Sequence, residues 1–167
     1  MNELKPSLNG REKYVLALMF IIAACFLLLQ IVSIISSRAK AVVVDDDSIR
    51  MSRSEMLSFV RVALTIILSV TGAVLFKKIN RSGWVISMAV LLLFTLILSA
   101  ILYGIYSTFD QLDFTMALGG VAVMILLLGI VFLLVPATRE KFRAGRNGFL
   151  AALMLFLLLG AMFFFLQ

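Results

Sequence analysis

Polar side chains that could bind a ligand or a partner are few in this chain: six fall on apolar segments, and two aspartates lie in the loop between the third and fourth segments. They include amide, hydroxyl, carboxylate and guanidinium groups, which together could bind a polar or anionic group through hydrogen bonds. We predict that they form one polar face on the outer side of a membrane bundle. The residues of this predicted polar face are Gln30, Ser33, Arg61, Thr65, Ser99, Tyr103, Asp110 and Asp113.

Arg61 is the most distinctive member of the predicted polar face. It falls about one turn inside an apolar segment. A guanidinium is costly at the bilayer centre, but near a helix end it can extend to the polar interface. Two interpretations are therefore open. Either the side chain simply extends outward to water, or it pairs with Asp110, with Asp113, or with an anionic ligand or lipid headgroup.

The hydroxyl-bearing positions have a second explanation. In lipid, small and hydroxylated residues let helix backbones approach closely and form hydrogen bonds across the contact. Thr65, Ser69 and Ala73 have the small-xxx-small spacing of such contacts, and so do Ala100 and Gly104. The sequence therefore predicts either a packing interface or a shallow polar pocket between the first three apolar helices.

Residues for catalysis or metal binding are scarce. The chain has no His and a single Cys, Cys25, which lies in an apolar run where we expect a buried, inert thiol. Without His or a carboxylate pair inside the apolar segments, no base is available to activate a nucleophile. We therefore expect no enzyme activity, no catalytic residues, no cofactor and no metal site. The run Asp45–Asp47 lacks the spacing of a calcium loop and is interpreted as a solvated acidic turn.

Five apolar segments must position these residues. Hydrophobic residues make up 63% of the chain and charged residues 14%, which excludes an ordinary soluble domain. In lipid each segment must be helical, because only a helix pairs every backbone group within its own segment. The sequence predicts an all-α integral membrane protein, an antiparallel bundle of five transmembrane helices with short loops and a single domain over residues 1–167. The predicted spans are 14–37, 57–76, 84–106, 114–135 and 149–166.

Local signals mark several ends of the predicted spans. Ser52–Glu55 match a capping box, and Asp113 suits the N-cap of the fourth helix. Pro136 directly follows the fourth span, where the helix ends and the backbone N–H that Pro lacks is not needed. Asn147–Gly148 predict a turn before the fifth span. Trp84 lies near a span end, where an interfacial aromatic residue is expected.

Basic residues predict the orientation. The amino terminus, the second loop and the fourth loop lie on one side of the predicted bundle and hold ten of the fifteen Lys and Arg residues, which makes that side cytoplasmic. The amino terminus is then inside and the carboxyl terminus outside. The fourth loop, 138–146, carries Phe142 between its charges and could also lie on anionic lipid headgroups. The ten residues are Lys5, Arg11, Lys13, Lys77, Lys78, Arg81, Arg139, Lys141, Arg143 and Arg146.

Two functions are compatible with this pattern. The first is a non-catalytic accessory subunit or scaffold of a membrane complex, whose partners besides the bilayer are other membrane-protein subunits or copies of itself. The alternative is a small transporter, channel or lipid-handling protein that uses the predicted polar face. Nucleic acid is not expected as a partner, because the basic residues flank apolar spans instead of forming a basic face. The compact chain favours a bacterial inner membrane.

Overall fold

The computed structural model describes residues 7–44, 53–109 and 114–165. Five long helices and one short helix follow one another in these residues, without a strand among them. They are α1 (Gly10–Val44), α2 (Arg53–Lys77), α3 (Arg81–Phe109), α4 (Phe114–Leu134), α5 (Pro136–Lys141) and α6 (Arg146–Phe165). The predicted all-α class is confirmed.

Each of the five long helices can cross a membrane. Their apolar parts contain between 19 and 28 residues. At 1.5 Å per residue these parts are about 28 to 42 Å long, and the hydrocarbon core of a bilayer is about 30 Å thick. The prediction of five transmembrane helices is therefore confirmed for the described residues, and the protein is an integral membrane protein.

The helices α1, α2 and α3 extend beyond the predicted spans at both ends. Hydropathy locates only the apolar part of a helix, whereas the helix continues into polar residues until a cap ends it. The starts of α2 at Arg53 and of α4 at Phe114 agree with the predicted caps. The capping residues Ser52 and Asp113 themselves, like the acidic run Asp45–Asp47, lie outside the described residues.

The connection between α4 and α6 differs from the predicted loop. Pro136 opens the short helix α5 at a first-turn position, where its missing N–H would have no helical acceptor. The chain then turns at Arg143, whose φ is +51°. The turn predicted at Asn147–Gly148 is wrong, because both residues already belong to α6.

The ends of α2 and α5 close in the same way. After α2, the N–H of Asn80 donates to the carbonyl of Leu75 at 3.1 Å, and the N–H of Ile79 donates to the carbonyl of Phe76 at 2.9 Å. This pair of bonds is the Schellman motif, which usually places Gly in its left-handed position. Ile79 takes that position after α2 and Arg143 takes it after α5.

Aromatic packing holds the two Schellman turns together at one end of the molecule. Phe76 stacks on Phe142 with ring centroids 4.4 Å apart. Trp84, expected at an interface, is instead fully buried, and its Nε1–H donates to the carbonyl of Leu133 at 3.0 Å. That carbonyl is accessible to a side chain because α4 ends one residue later. We call this end, formed by residues 7–13, 77–84 and 133–146, the basic end, and the opposite end the distal end.

The core of the protein is concentrated toward the basic end. α3 contacts α2, α4 and α6, while α1 contacts α2 and α4. The contacts of Trp84 with Leu133 and of Leu102 with Gly119 show that α3 and α4 lie side by side in opposite directions. The antiparallel order of the whole bundle stays a prediction. Fully buried core side chains include Val15, Met19, Phe76, Trp84, Leu91, Leu133 and Phe142.

Candidate functional site

The predicted polar face is spread over surfaces with very different environments. Ser33, Ser99 and Tyr103 are exposed on the outside of their helices, whereas Thr65 is buried. Gln30 and Arg61 are half-buried. Asp110 and Asp113 lie outside the described residues.

Within the described residues, one hydrogen bond joins two members of the predicted polar face. The Thr65 hydroxyl donates to the backbone carbonyl of Arg61 at 2.9 Å, one turn earlier in the same helix. This bond satisfies the buried hydroxyl within α2 and needs no neighbour. The side chains of the predicted polar face are therefore not joined into a hydrogen-bonded pocket in the described part of the chain.

The small-residue stripe of α2 is a packing surface. Thr65, Ser69 and Ala73 are at most 4% exposed, and α2 packs between α1 and α3. The hydroxyl oxygens of Ser69 on α2 and of Ser87 on α3 are buried, with no hydrogen-bond partner among the described residues. Small side chains here allow close approach of the helices, as the packing interpretation requires.

The second small-residue pair faces away from the bundle. Ala100 and Gly104 on α3 are exposed, and a Cβ added at Gly104 would meet no atom within 4 Å. Tyr103 beside them is 74% exposed. This face of α3 is therefore uncovered by the described chain, whereas Leu102 on another face contacts α4 near Gly119.

Arg61 lies at an apolar cavity near the distal end. The cavity has a volume of about 410 Å³ and lies between α1, α2, α3 and α6. Within the described residues its guanidinium forms neither a hydrogen bond nor an ion pair. Arg61 is the one charged residue in the wall. The lining residues are Phe26, Arg61, Leu93, Phe94, Leu96, Ile97, Gly160, Phe163 and Phe164.

The basic end holds an ion pair that the sequence did not predict. Lys141 donates from Nζ to Glu12 Oε2 at 2.6 Å and to the Ser7 carbonyl at 2.6 Å. Glu12 is 2% exposed, and the same oxygen accepts the N–H of Asn9 at 2.8 Å. Asn9 and Glu12 have the spacing of a capping box at the start of α1. That spacing was a local signal for the buried carboxylate, although not for its partner 129 residues away.

An open cleft lies beside this ion pair. It has a volume of about 560 Å³ and is formed by the two Schellman turns, with Lys78, Arg81 and Arg143 contributing positive charge. Phe142, in the loop that could lie on anionic lipid headgroups, is 1% exposed and stacks on Phe76. The basic side chains of this end therefore surround a packed aromatic pair.

Cys25 departs from its expected environment. It is exposed on the surface of α1, not buried. In the described residues no three His, Cys, Asp or Glu side chains come together as metal ligands would.

Comparisons with known proteins found no relative of this chain. No protein-family model matches the chain, and neither does any curated protein or any solved structure.

Proposed function

We propose that the protein is a non-catalytic accessory subunit or scaffold of a membrane complex, and that it binds its partner through the distal half of α1. The observation that carries this proposal is the exposure of that half-helix. Every residue from 27 to 36 is exposed except Gln30, which is half-buried. Ten residues make almost three helical turns, so the described residues leave this length of α1 exposed on every side except at Gln30.

The side chains by which α1 packs on the bundle become less buried along the helix. Val15, Met19 and Ile22 are at most 8% exposed. The same face continues through Phe26 and Gln30, which are only half-buried. Beyond them, residues 31–36 are all exposed. A partner helix would restore the contacts that the basic half of α1 makes within the chain.

Gln30 and Ser33 favour a protein partner over lipid alone. Both carry hydrogen-bonding groups on α1, where Ser33 is exposed and Gln30 is only half-buried. In hydrocarbon such groups have no water to bond, whereas a neighbouring helix offers side-chain and backbone partners. The partner is either another membrane subunit or a second copy of this chain.

The length of α1 supports the same role. The helix has 35 residues, about 52 Å at 1.5 Å per residue, and exceeds the bilayer core of about 30 Å. Even when tilted, α1 extends past the distal end of the apolar region. A helix that extends past its apolar part can contact a partner both within and above the membrane.

Substitutions on α1 test this proposal. We expect Gln30→Leu and Ser33→Leu to weaken association by about 1 kcal/mol each, because interhelical hydrogen bonds are lost. The measurement is the mass of the complex and its dissociation on dilution after mild detergent extraction. Ser99→Leu is the matched control, since Ser99 is an exposed serine on α3. A wild-type protein that is purely monomeric after such extraction, and in the membrane, would contradict the proposal.

The proposed location is a bacterial inner membrane, with the basic end in the cytoplasm. The positive charge of the basic end supports this orientation. The bacterial origin rests on the compactness of the chain alone. A lack of N-glycosylation sites cannot be added as a second argument, because Asn80–Ser82 match the N-glycosylation pattern. In a chain carrying Cys25→Ser, an impermeant maleimide applied to intact cells should label Asp46→Cys and not Gly145→Cys. The reverse labelling would invert the orientation.

The alternative function, a transporter, channel or lipid-handling protein, has one supporting observation. The cavity at Arg61 combines apolar walls with a single cation, which suits an amphiphile better than a water-soluble solute. A polar pathway is not supported by the positions of Ser99 and Tyr103, which are exposed on the outer surface of α3.

A further inference from the structure

We infer that the cavity between α1, α2, α3 and α6 is a binding site for one anionic phospholipid, whose phosphate pairs with Arg61. This inference is independent of the proposed role of α1 in binding a partner. We call the cavity the Arg61 cavity; its residues are those given above as its lining.

The walls of the Arg61 cavity suit an acyl chain. Apart from Arg61, its lining consists of Gly160 and of Phe, Leu and Ile side chains. Phe26 and Phe94 form one wall, with ring centroids 5.0 Å apart. A volume of about 410 Å³ falls within the roughly 300–1,000 Å³ of pockets that bind small molecules.

The Arg61 cavity opens toward lipid. Leu93, in its interior, is 3% exposed, whereas Leu96 and Phe164 are 58% and 72% exposed. The cavity therefore runs from the core to the outer surface of the helices. A lipid can enter from the side, whereas a soluble solute would have to cross an apolar surface.

The depth of Arg61 matches the position of a lipid phosphate. The apolar part of α2 is Met56–Lys77. Arg61 is sixteen residues from Lys77 and five from Met56, or about 24 Å and about 8 Å along the helix axis. A guanidinium there lies in the distal leaflet and extends toward the headgroup region.

Charge complementarity selects an anionic headgroup. Within the described residues Arg61 has no carboxylate beside it, so no described side chain compensates its charge. Guanidinium binds phosphate through paired, charge-assisted hydrogen bonds. A zwitterionic phosphatidylcholine adds its own cation at the same place, whereas phosphatidylglycerol adds only the anion.

The test measures which phospholipid the protein retains. Wild-type protein is purified from vesicles of equal phosphatidylglycerol and phosphatidylcholine, and retained lipid is counted by native mass spectrometry. We expect one retained phosphatidylglycerol. Arg61→Gln should reduce its retention about tenfold, because the charge-assisted bonds are lost. Arg53→Gln, the same charge change eight residues earlier in α2, should leave retention unchanged.

A second variant tests the cavity without changing charge. A Cβ added at Gly160 meets no atom within 4 Å, so Gly160→Leu has room for its first atom and should occupy space that the acyl chain needs. We expect it to reduce retention as strongly as Arg61→Gln does. Gly120→Leu is the matched control, because Gly120 is equally open and lies on α4, outside the cavity.

Three results would overturn the inference of a phospholipid site. Equal phosphatidylglycerol retention by wild type and a folded Arg61→Gln variant would mean that Arg61 only extends to water. Displacement of the lipid by inorganic phosphate alone would assign the site to a free anion. If Arg61→Gln does not fold, Arg61→Lys and Gly160→Leu decide instead, and unchanged retention in Gly160→Leu rejects the cavity as the site.

Discussion

At the scale of single residues, Glu12 and Lys141 form an ion pair at the basic end. The carboxylate of Glu12 is almost completely buried and accepts both the Lys141 ammonium and the N–H of Asn9. A buried charge that loses its partner is costly, whereas a neutral pair is not. The two side chains therefore stabilise the protein together, and neither should tolerate loss of the other.

Removal of Lys141 alone should destabilise the protein more than removal of both charges. We expect Lys141→Met to lower the free energy of unfolding by about 2–3 kcal/mol, because Glu12 remains buried and unpaired. Adding Glu12→Gln, which keeps an acceptor for Asn9, should recover part of that loss. Unfolding in detergent measures the double-mutant cycle. Additive losses would mean that the two side chains act independently.

The residue scale also shows the limit of sequence-based prediction. The capping spacing of Asn9 and Glu12 is local and could have been found from the sequence. The pairing of Glu12 with Lys141 could not, because it depends on how α1 and α5 meet in the fold. Cys25 illustrates the same limit, since an apolar run shows that a residue is in the membrane but not whether it faces the core.

At the scale of elements, hydropathy predicted the five long helices because spanning a bilayer needs only length and apolar composition. The short helix α5 was missed because its six residues are mostly polar and lack a hydrophobic period. The two Schellman turns lie within the predicted second and fourth loops, but their left-handed positions were not predicted, because Ile79 and Arg143, not Gly, occupy them. For the predicted polar face, the chemical groups follow directly from the residue types, whereas the directions in which the side chains point could not be predicted from the sequence.

The close approach of α3 to the end of α2 requires Gly83. A Cβ at this position would lie 2.2 Å from the backbone nitrogen of Phe76, so the two backbones would have to separate. We expect Gly83→Ala to cost about 2–3 kcal/mol of stability through this overpacking. Thermal unfolding in detergent measures it.

Two other glycines are controls for Gly83. Gly104 and Gly120 have no atom within 4 Å of an added Cβ. Alanine at either position should leave stability unchanged or raise it by up to about 1 kcal/mol, because Gly is a poor helix former. Equal effects at all three glycines would show that close backbone approach is not what Gly83 provides.

At the scale of the whole molecule, the protein is packed at one end and uncovered at the other. Aromatic stacking, the Trp84 hydrogen bond and the Glu12–Lys141 ion pair all lie at the basic end. Toward the distal end, residues 27–36 of α1 are exposed except for the half-buried Gln30, and the Arg61 cavity opens at the surface of the helices. The basic end fixes the fold, and the distal end offers surfaces to lipid and, in our proposal, to another protein.

The most direct test of partner binding by the distal half of α1 is site-specific photocrosslinking in intact membranes. A photoreactive residue replaces either Val32 on α1 or Val121 on α4, which are 62% and 58% exposed. We expect Val32 to give a discrete protein adduct, either a second 18.5 kDa chain or another subunit, and Val121 to give none. If Val32 gives no protein adduct, or Val121 gives the same one, the distal half of α1 is not the partner-binding surface.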